Sequence, residues 1–456
     1  MSPDPSSDPS SRSGPSEKEG KETIAAIATP PGRGGIGIVR LSGPMAIEIA
    51  QILCCRTFKP RHATFSQICN REGELLDQGI ILTFSAGSSF TGEPVAEFQG
   101  HGGPMVMRSI LQAALELGAR MARPGEFSER AFLNGRMDLA QAEAIADLIA
   151  SGSQAAARGA LRSLTGEFST LVDSIAKNLL LLRVRVEAGI DFPEEPLKEE
   201  ETTAQLADLV SLRAALAELL GKTRQGVRLG QGATVAIVGH PNVGKSSLLN
   251  ALSGEDNAIV TAIPGTTRDL LKVDLELRGL PIRVIDTAGL RVTLDPVESE
   301  GVRRATVILP TADLVIVLED LTVAEGEDRL DPRWLEGCSS ILRVGNKLDL
   351  APARQADVNI SAHTGEGMEQ LVDSILQHLE FEPDGSTFTA RVRHVEALSR
   401  TDRHLEQAVQ LLETKYGTEF VAEELRLAHD CLGEIAGRVT ADRLLGEIFS
   451  TFCIGK

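Results

Sequence analysis

The chain has 456 residues, enough for two to four domains, and carries 64 acidic against 46 basic side chains for a formal charge of −18. So large an excess of carboxylates excludes a general basic surface for nucleic acid, because each phosphate contact needs a cation to displace counterions; hydrophobic residues make up 42% and aromatics only 4%, so the cores are aliphatic. The six cysteines show neither a zinc spacing nor a disulfide framework, no secretory signal is seen, and no apolar run nears the roughly 20 residues that span a bilayer. A cytoplasmic protein with no membrane contact is expected.

Residues 1–20, rich in Pro, Ser, Asp and Glu, are expected to form a disordered tail. Thr23–Ala28 and Ile36–Leu41 are β-prone runs around a Pro/Gly turn, and Pro44–Leu53 is helix-like, so 21–136 reads as an α+β domain. It bears 12 basic and 10 acidic groups. From Met137 to about Leu220 a 3.6-residue period (Ala142, Ile145, Ala146, Ile149; Leu171, Val172, Ile175, Leu179) predicts long amphipathic helices interrupted at Asp191–Pro196. Gln225–Gly232 reads as a linker, closing a first helical part, 137–231. Strands alternating with helices over 232–379 predict a parallel-sheet α/β domain, with 13 basic and 22 acidic groups. The helical period returns over 380–456 (Leu405, Val409, Leu412; Leu425, Ala428, Leu432, Ile435). The expected fold is multidomain α+β, with one helical bundle made from two chain segments around an inserted α/β domain; two separate bundles are the alternative.

The β-branched run Thr234–Val238 ends in Gly239-His-Pro-Asn-Val-Gly244-Lys245-Ser246 and continues as helix through Ser247–Leu252, the strand–loop–helix context of a phosphate-binding loop. Its backbone amides would cradle phosphates, Lys245 would reach the β and γ oxygens, and the Ser246 hydroxyl would face Mg²⁺. Three segments follow in GTPase order. Asp286-Thr287-Ala288-Gly289 comes after the apolar run Ile282–Ile285 and would serve the Mg²⁺ water shell and the γ-phosphate. Asn346-Lys347-Leu348-Asp349 comes after Ile341–Val344, and the Asp349 carboxylate can accept from guanine N1 and its exocyclic amine, a donor pair adenine lacks. Ser361-Ala362-His363 adds a backbone contact to guanine O6. Between the first two lies Thr261-Ala262-Ile263-Pro264-Gly265-Thr266-Thr267, a candidate switch loop. Leu290 stands where Ras-like enzymes keep a water-orienting Gln, so the water needs another group, with Asp295, Glu298 and Glu300 as candidates. No arginine finger is assigned among Arg268 and Arg291, which leaves room for a second cation beside Asn242.

Outside these motifs, Thr29-Pro-Pro-Gly-Arg-Gly-Gly-Ile-Gly-Ile-Val-Arg40, Ser89-Phe-Thr-Gly-Glu with Gly100-His-Gly-Gly103, Arg123–Asn134 through Asp138-Leu-Ala-Gln-Ala-Glu-Ala-Ile-Ala, and the tail Phe452-Cys-Ile-Gly-Lys456 resemble the MnmE (TrmE) family of tRNA-modification GTPases, within the TrmE-Era-EngA-like P-loop GTPases. The resemblance covers nearly all of Thr23–Lys456. It implies an N-terminal tetrahydrofolate-binding and dimerisation domain, a homodimer, and an FAD-dependent MnmG-like partner in a heterotetramer or larger complex. Together these would add a carboxymethylaminomethyl or aminomethyl group to the wobble uridine of tRNA. It also implies that Asn242, Thr261, Ile263 and Thr266 ligate K⁺, that Ser246 and Thr267 ligate Mg²⁺, and that Glu298 orients the attacking water. Arg40, Glu97, Arg136 and Lys456 would hold a 5-formyl or methylene tetrahydrofolate, and Cys453 would lie near it as a catalytic thiol. Arg136, where the family has lysine, and Glu300, where an apolar residue is usual, depart from the pattern. An Era-like ribosome-assembly GTPase is the rival reading, but it leaves the N-terminal blocks without a place. Gly32-Arg-Gly34-Gly-Ile-Gly37 fits a dinucleotide fingerprint, yet a β-prone run follows it, which argues against that use. Cys453-Ile-Gly-Lys456 has the wrong residues for prenylation. The uneven charge predicts that RNA avoids the acidic α/β domain and is held by local patches, largely on the partner.

Overall fold

A computed structural model describes residues 22–191, 199–257, 272–286, 309–324, 330, 332–382, 387–414, 416–438 and 442–455. Their contacts divide into two compact units, 22–142 with 442–455, and 143–438. The expected tail 1–20 and most of the helical interruption after Asp191 lie outside the described residues.

In the first unit the chain runs β1 (Ile24–Ile27), β2 (Gly34–Ser42), α1 (Ala46–Cys54), β3 (Thr64–Cys69), β4 (Leu75–Phe84), β5 (Val95–Gly102), α2 (Pro104–Glu116), β6 (Arg120–Met121) and α3 (Glu126–Leu133). The strands make one sheet in the order β3-β4-β5-β2-β1-β6, antiparallel except for the β1–β6 pair. Residues alternate across it: Val39, Leu41, Ala96 and Phe98 join Ile49 and Ile110 of the helices in one core, while Arg40 and Glu97 stand on the opposite face. The β2 strand starts at Gly34, so the glycine run 32–37 feeds a strand and not a helix. Gly37 is needed there, since a Cβ would sit 2.5 Å from the Met107 sulfur.

Next come α4 (Leu139–Ala150), α5 (Gln154–Leu164), α6 (Glu167–Asp191) and α7 (Glu199–Gln231). Then follow β7 (Ala233–Val238), α8 (Lys245–Asn257), β8 (Lys272–Leu277), β9 (Leu280–Asp286), β10 (Leu314–Asp320), β11 (Ile341–Asn346), β12 (Val358–Asn359) and α9 (Met368–His378). The chain closes with α10 (Val392–Thr414), α11 (Thr418–Ala436) and α12 (Asp442–Ser450). The second sheet has the order β12-β11-β10-β7-β9-β8 and is parallel except for the β8–β9 hairpin. Helices from both sides of it pack together: α10 lies against α7 and α11 against α6, tied by Arg213–Asp402 at 3.0 Å and Arg438–Asp173 at 2.9 Å. One bundle from two chain segments is what forms.

The linker expected at Gln225–Gly232 is overturned, because all but its last residue belongs to α7. Its glycines serve packing. A Cβ on Gly226 would lie 2.4 Å from the Phe388 carbonyl oxygen, and one on Gly159 of α5 would lie 2.7 Å from a Leu229 methyl. The extended segment Thr387–Ala390 threads between the two helices, with Ala390 N–H donating to Gly226 O at 3.1 Å and Thr389 N–H to Gly159 O at 3.2 Å.

The chain's end belongs to the first unit. There α12 packs on α3, Phe449 meets Phe132 at 6.4 Å between ring centres, and Ile454 bridges to Pro124.

Candidate functional site

The strand order places β7 between β9 and β10, so the loop leaving its C-terminal end opens at the switch point of a doubly wound sheet. That loop is Gly239–Gly244, and α8 begins at Lys245. Two residues take left-handed backbone, Asn242 at φ 67° and Gly244 at φ 101°, which turns successive amides toward one side. A Cβ on Gly244 would also lie 2.3 Å from Asn346 Nδ2, so only glycine fits. The Lys245 ammonium donates to Gly239 O at 2.8 Å and His240 O at 2.9 Å, lying across the mouth of the loop. Ser246 and Ser247 are exposed in the first turn of α8, where amides and helix dipole favour anions.

Asn346, at the end of β11 and 3% exposed, ties three segments together. Its Nδ2 donates to Val243 O at 2.8 Å in the phosphate loop, and its Oδ1 accepts from Ala362 N–H at 3.0 Å. Asp349 accepts from the Ser361 hydroxyl at 2.6 Å, and that hydroxyl accepts from Thr364 N–H at 3.1 Å. Leu348 N–H donates to Ile360 O at 3.0 Å. Lys347, itself left-handed at φ 70°, pairs with Asp320 at the end of β10. Burial pulls the Asp320 carboxyl upward, but Lys347 and two bonds from Thr322 outweigh it and hold the group below its ordinary range. The sequence reading missed Asp320; its place at the end of the apolar run Leu314–Leu318 was the available signal.

Of the other residues expected at the nucleotide, Asp286 ends β9. Thr261–Thr267, Thr287–Gly289 and Glu298, with Arg268, Arg291, Asp295 and Glu300, lie outside the described residues, so of the expected K⁺ ligands Asn242 alone is described. Among the described residues no group of three or more His, Cys, Asp or Glu is placed to hold a metal. The loop and the guanine segments instead supply hydroxyl, amide and carbonyl oxygens, ligands suited to hard cations.

In the first unit, pairing of β2 with β5 sets Arg40 opposite Glu97. Arg40 Nε donates to Glu97 Oε1 at 2.8 Å, and Gln99 Nε2 donates to Oε2 at 3.3 Å. The guanidinium also reaches Gly455 O at 3.4 Å and lies 5.8 Å from the centre of the Phe127 ring. Gly455 is required at its place: φ is 97°, and a Cβ would lie 2.6 Å from Ile27 O. Cys453 is an exposed free thiol whose carbonyl accepts from Gly125 N–H at 3.5 Å. Arg136 lies alongside Gly92, where a Cβ would meet its side-chain carbons at 3.4 and 3.5 Å. Lys456 lies outside the described residues. Gln99 and Gly455 were not expected at this site.

A P-loop at the sheet's switch point, bound by one asparagine to the Asn346–Asp349 segment that follows β11, defines a P-loop GTPase, an enzyme that hydrolyses GTP. Residues 23–136 match the family model of the GTP-binding protein TrmE N-terminus, and residues 139–453 that of the MnmE helical domain. The chain belongs to the MnmE family. It is 49% identical over 442 residues to a tRNA modification GTPase MnmE from Thiobacillus denitrificans, covering 95% of this chain and 98% of that one. It is 48% identical over 454 residues to one from Acinetobacter baylyi, covering 95% and 96%. Among solved structures, the FeoB G domain from Methanococcus jannaschii is 26% identical with TM-score 0.26, covering 32% of this chain and 97% of that one.

Proposed function

We propose that this GTPase acts in tRNA modification as a K⁺-stimulated enzyme. With an FAD-dependent MnmG-like partner it adds a carboxymethylaminomethyl or aminomethyl group to C5 of the wobble uridine of certain tRNAs, in the cytoplasm and as a homodimer. The proposed domains are folate-binding 21–136, helical 137–231 and 380–456, and GTPase 232–379. The observation that carries the reading is the meeting of Arg40, Glu97 and the Gly455 carbonyl, with Arg40 and Gly455 415 positions apart in the chain. Nucleotide binding alone does not call for it.

The residues present fit the proposed groups. Glu97, fixed on one oxygen by Arg40 and on the other by Gln99, keeps lone pairs for a pterin's paired donors, and Arg40 supplies a cation for a carboxylate. A tetrahydrofolate held there would supply the one-carbon unit. In the second unit Ser246 offers a hydroxyl for Mg²⁺ at the start of α8, and Asn242 an exposed amide oxygen for K⁺. Lys245 neutralises phosphate charge, and Glu298 is the proposed water-orienting carboxylate. GTP hydrolysis drives domain rearrangement and leaves the carbon chemistry to the folate-binding domain, with Cys453 proposed as a thiol beside it.

The test compares GTP turnover in KCl and NaCl at equal ionic strength, with Asn242→Ala and Glu298→Ala alongside. Stimulation in KCl that Asn242→Ala removes is expected, and equal rates in both salts would sink the potassium step. Mass spectrometry of tRNA from cells lacking the protein tests the rest: an unchanged wobble-uridine spectrum is incompatible with the proposal.

A further inference from the structure

We propose that the turn between α1 and β3, carrying Arg56, Lys59 and Arg61, is where this chain holds the phosphate backbone of tRNA. The inference rests on the reading of the chain as acting on tRNA and adds to it the surface that touches the RNA. Between Glu48 and Glu72 the sequence has no Asp or Glu, in a chain whose formal charge is −18. The three cations are exposed, and among the described residues none of them pairs with a carboxylate. Other cations of the same unit are neutralised internally: Arg120 by Glu22 and Glu126, Arg123 by Glu129, and Arg130 by Glu93.

Backbone bonds fix the turn. Arg61 N–H donates to Thr83 O at 2.8 Å and His62 N–H to Lys59 O at 3.2 Å, and Arg61 takes left-handed backbone at φ 59°, uncommon for a residue with a Cβ. Neutral carbonyls then steer the two guanidinium groups: Arg56 Nη1 donates to Phe65 O at 3.3 Å, and Arg61 Nη2 to Ser88 O at 3.1 Å. A carbonyl takes one of five N–H donors and none of the charge. Both groups therefore keep their charge and most of their donors for an outside anion. The two carbonyls belong to different segments, β3 and the connection from β4 to β5, so the cations are spread along the turn. Such a spread suits a row of phosphates more than a single one.

The pairings Thr64 with Ile81 and Phe84 with Val95 put the turn at the end of the sheet where β3 and β5 begin and β4 finishes. Basic residues also guard exposed sheet edges against unwanted pairing. Here, though, the edge strand β3 carries no charged residue, and the cations come before it. Phe65, whose carbonyl Arg56 grips, is 63% exposed, an aromatic ring on which a base can stack. Because the chain as a whole repels a polyanion, a local excess of unpaired cations decides where RNA docks. An acidic protein surface is the competing occupant, and the experiment separates the two.

The experiment titrates the full chain, with and without the FAD-dependent partner, against fluorescently labelled tRNA between about 50 and 200 mM KCl. The triple variant Arg56→Gln, Lys59→Gln, Arg61→Gln keeps polar side chains and removes the charge. Each phosphate contact contributes about 0.7–0.9 to the slope of log affinity against log salt, so the variant's slope should be shallower by roughly 2–3. Lys59→Gln, which breaks none of the bonds that hold the turn, should remove about one such step by itself. Arg56→Lys with Arg61→Lys should keep the wild-type slope, as should Arg71→Gln at the far end of β3. Phe65→Ala should weaken binding about fivefold at an unchanged slope, since stacking releases no counterions. GTP turnover and 5-formyl-tetrahydrofolate binding should be unchanged in the triple variant and in Lys59→Gln. A wild-type slope in both of these, or an equal loss of slope in Arg71→Gln, would overturn the inference. So would unchanged tRNA binding with weakened binding of the flavoprotein, which would make the turn a protein contact. Failure of the wild-type chain to bind tRNA even with its partner present would overturn the tRNA reading as well.

Discussion

Asn346→Ala is the sharpest probe of how the nucleotide site is assembled. The substitution removes two hydrogen bonds, to Val243 O at 2.8 Å and from Ala362 N–H at 3.0 Å, and leaves a carbonyl and an amide without those partners. A net bond contributes about 0.5–1.5 kcal/mol, and an orphaned buried partner costs roughly 1–3 kcal/mol. Together they give about 2–4 kcal/mol. Since 1.4 kcal/mol is about tenfold in affinity, GDP and GTP binding should weaken roughly 30- to 1,000-fold in a fluorescent-nucleotide titration. Gly244→Ala offers an internal check, because its Cβ would collide with Asn346 Nδ2 while φ 101° strains any side chain. In the Asn346→Ala background only the strain remains, so the second substitution should do less harm than it does alone. An affinity for Asn346→Ala within about threefold of wild type, well under the 1.4 kcal/mol of a tenfold change, would refute the idea that this side chain binds the two loops into one site.

Asp349→Asn should replace guanine preference with xanthine preference. An amide cannot accept from both guanine donors, and bonds to a charged group contribute about 1.5–3 kcal/mol each; competition of GTP and XTP for the labelled-nucleotide site reads it, and an unchanged ranking counts against the assignment. Acid should loosen the helical bundle in two stages. His394 is buried and held below its ordinary 6.5, so its contribution is complete above about pH 6.5 and is lost as pH falls below that. Burial pulls Glu143 upward, but His394 and Arg393 outweigh it and bring its carboxyl down to about 2 from 4.5; its contribution is complete above about 4.5 and fades toward pH 2. In calorimetric scans His394→Gln should remove the upper stage alone, and persistence of that stage would contradict the reading. Burial pushes the Cys54 thiol up to about 12, whereas Cys55 and Cys453 are exposed. Brief iodoacetamide treatment near pH 8 should therefore label Cys55 and Cys453 before Cys54, and peptide mapping that finds Cys54 first would exclude this account.

The phosphate loop was legible because every level agreed: the β-branched Thr234–Val238 formed β7, the glycines took the turn, and helix began at Lys245. The Asn346–Asp349 segment was legible for the same reason, following the apolar strand β11. Asp320 was not read, since its pairing with Lys347 depends on β10 lying beside β11, and its place after the apolar run Leu314–Leu318 marks a strand end without naming that partner. The Arg40–Glu97 pair came from family resemblance; its physical cause is β2–β5 register between residues 57 positions apart, which no local pattern encodes. The break at 151–153 escaped notice although Ser153 caps α5 through a bond from Ala156 N–H at 3.0 Å. Gln225–Gly232 misled outright. Its glycine content lowers helix propensity, but packing of Thr387–Ala390 into the space the glycines leave decides the outcome.

That threaded strap has an architectural consequence. Glu382 N–H donates to the Gln225 side chain at 3.0 Å, and Ala390 N–H to Gly226 O at 3.1 Å, so the chain leaving the α/β segment returns to the helix from which it departed. Entry and exit share one doorway. A segment whose two ends meet can be placed within a host chain without pulling the host's helices apart; the α/β segment has the geometry of a portable insert, and the helices on either side of it can close as one bundle.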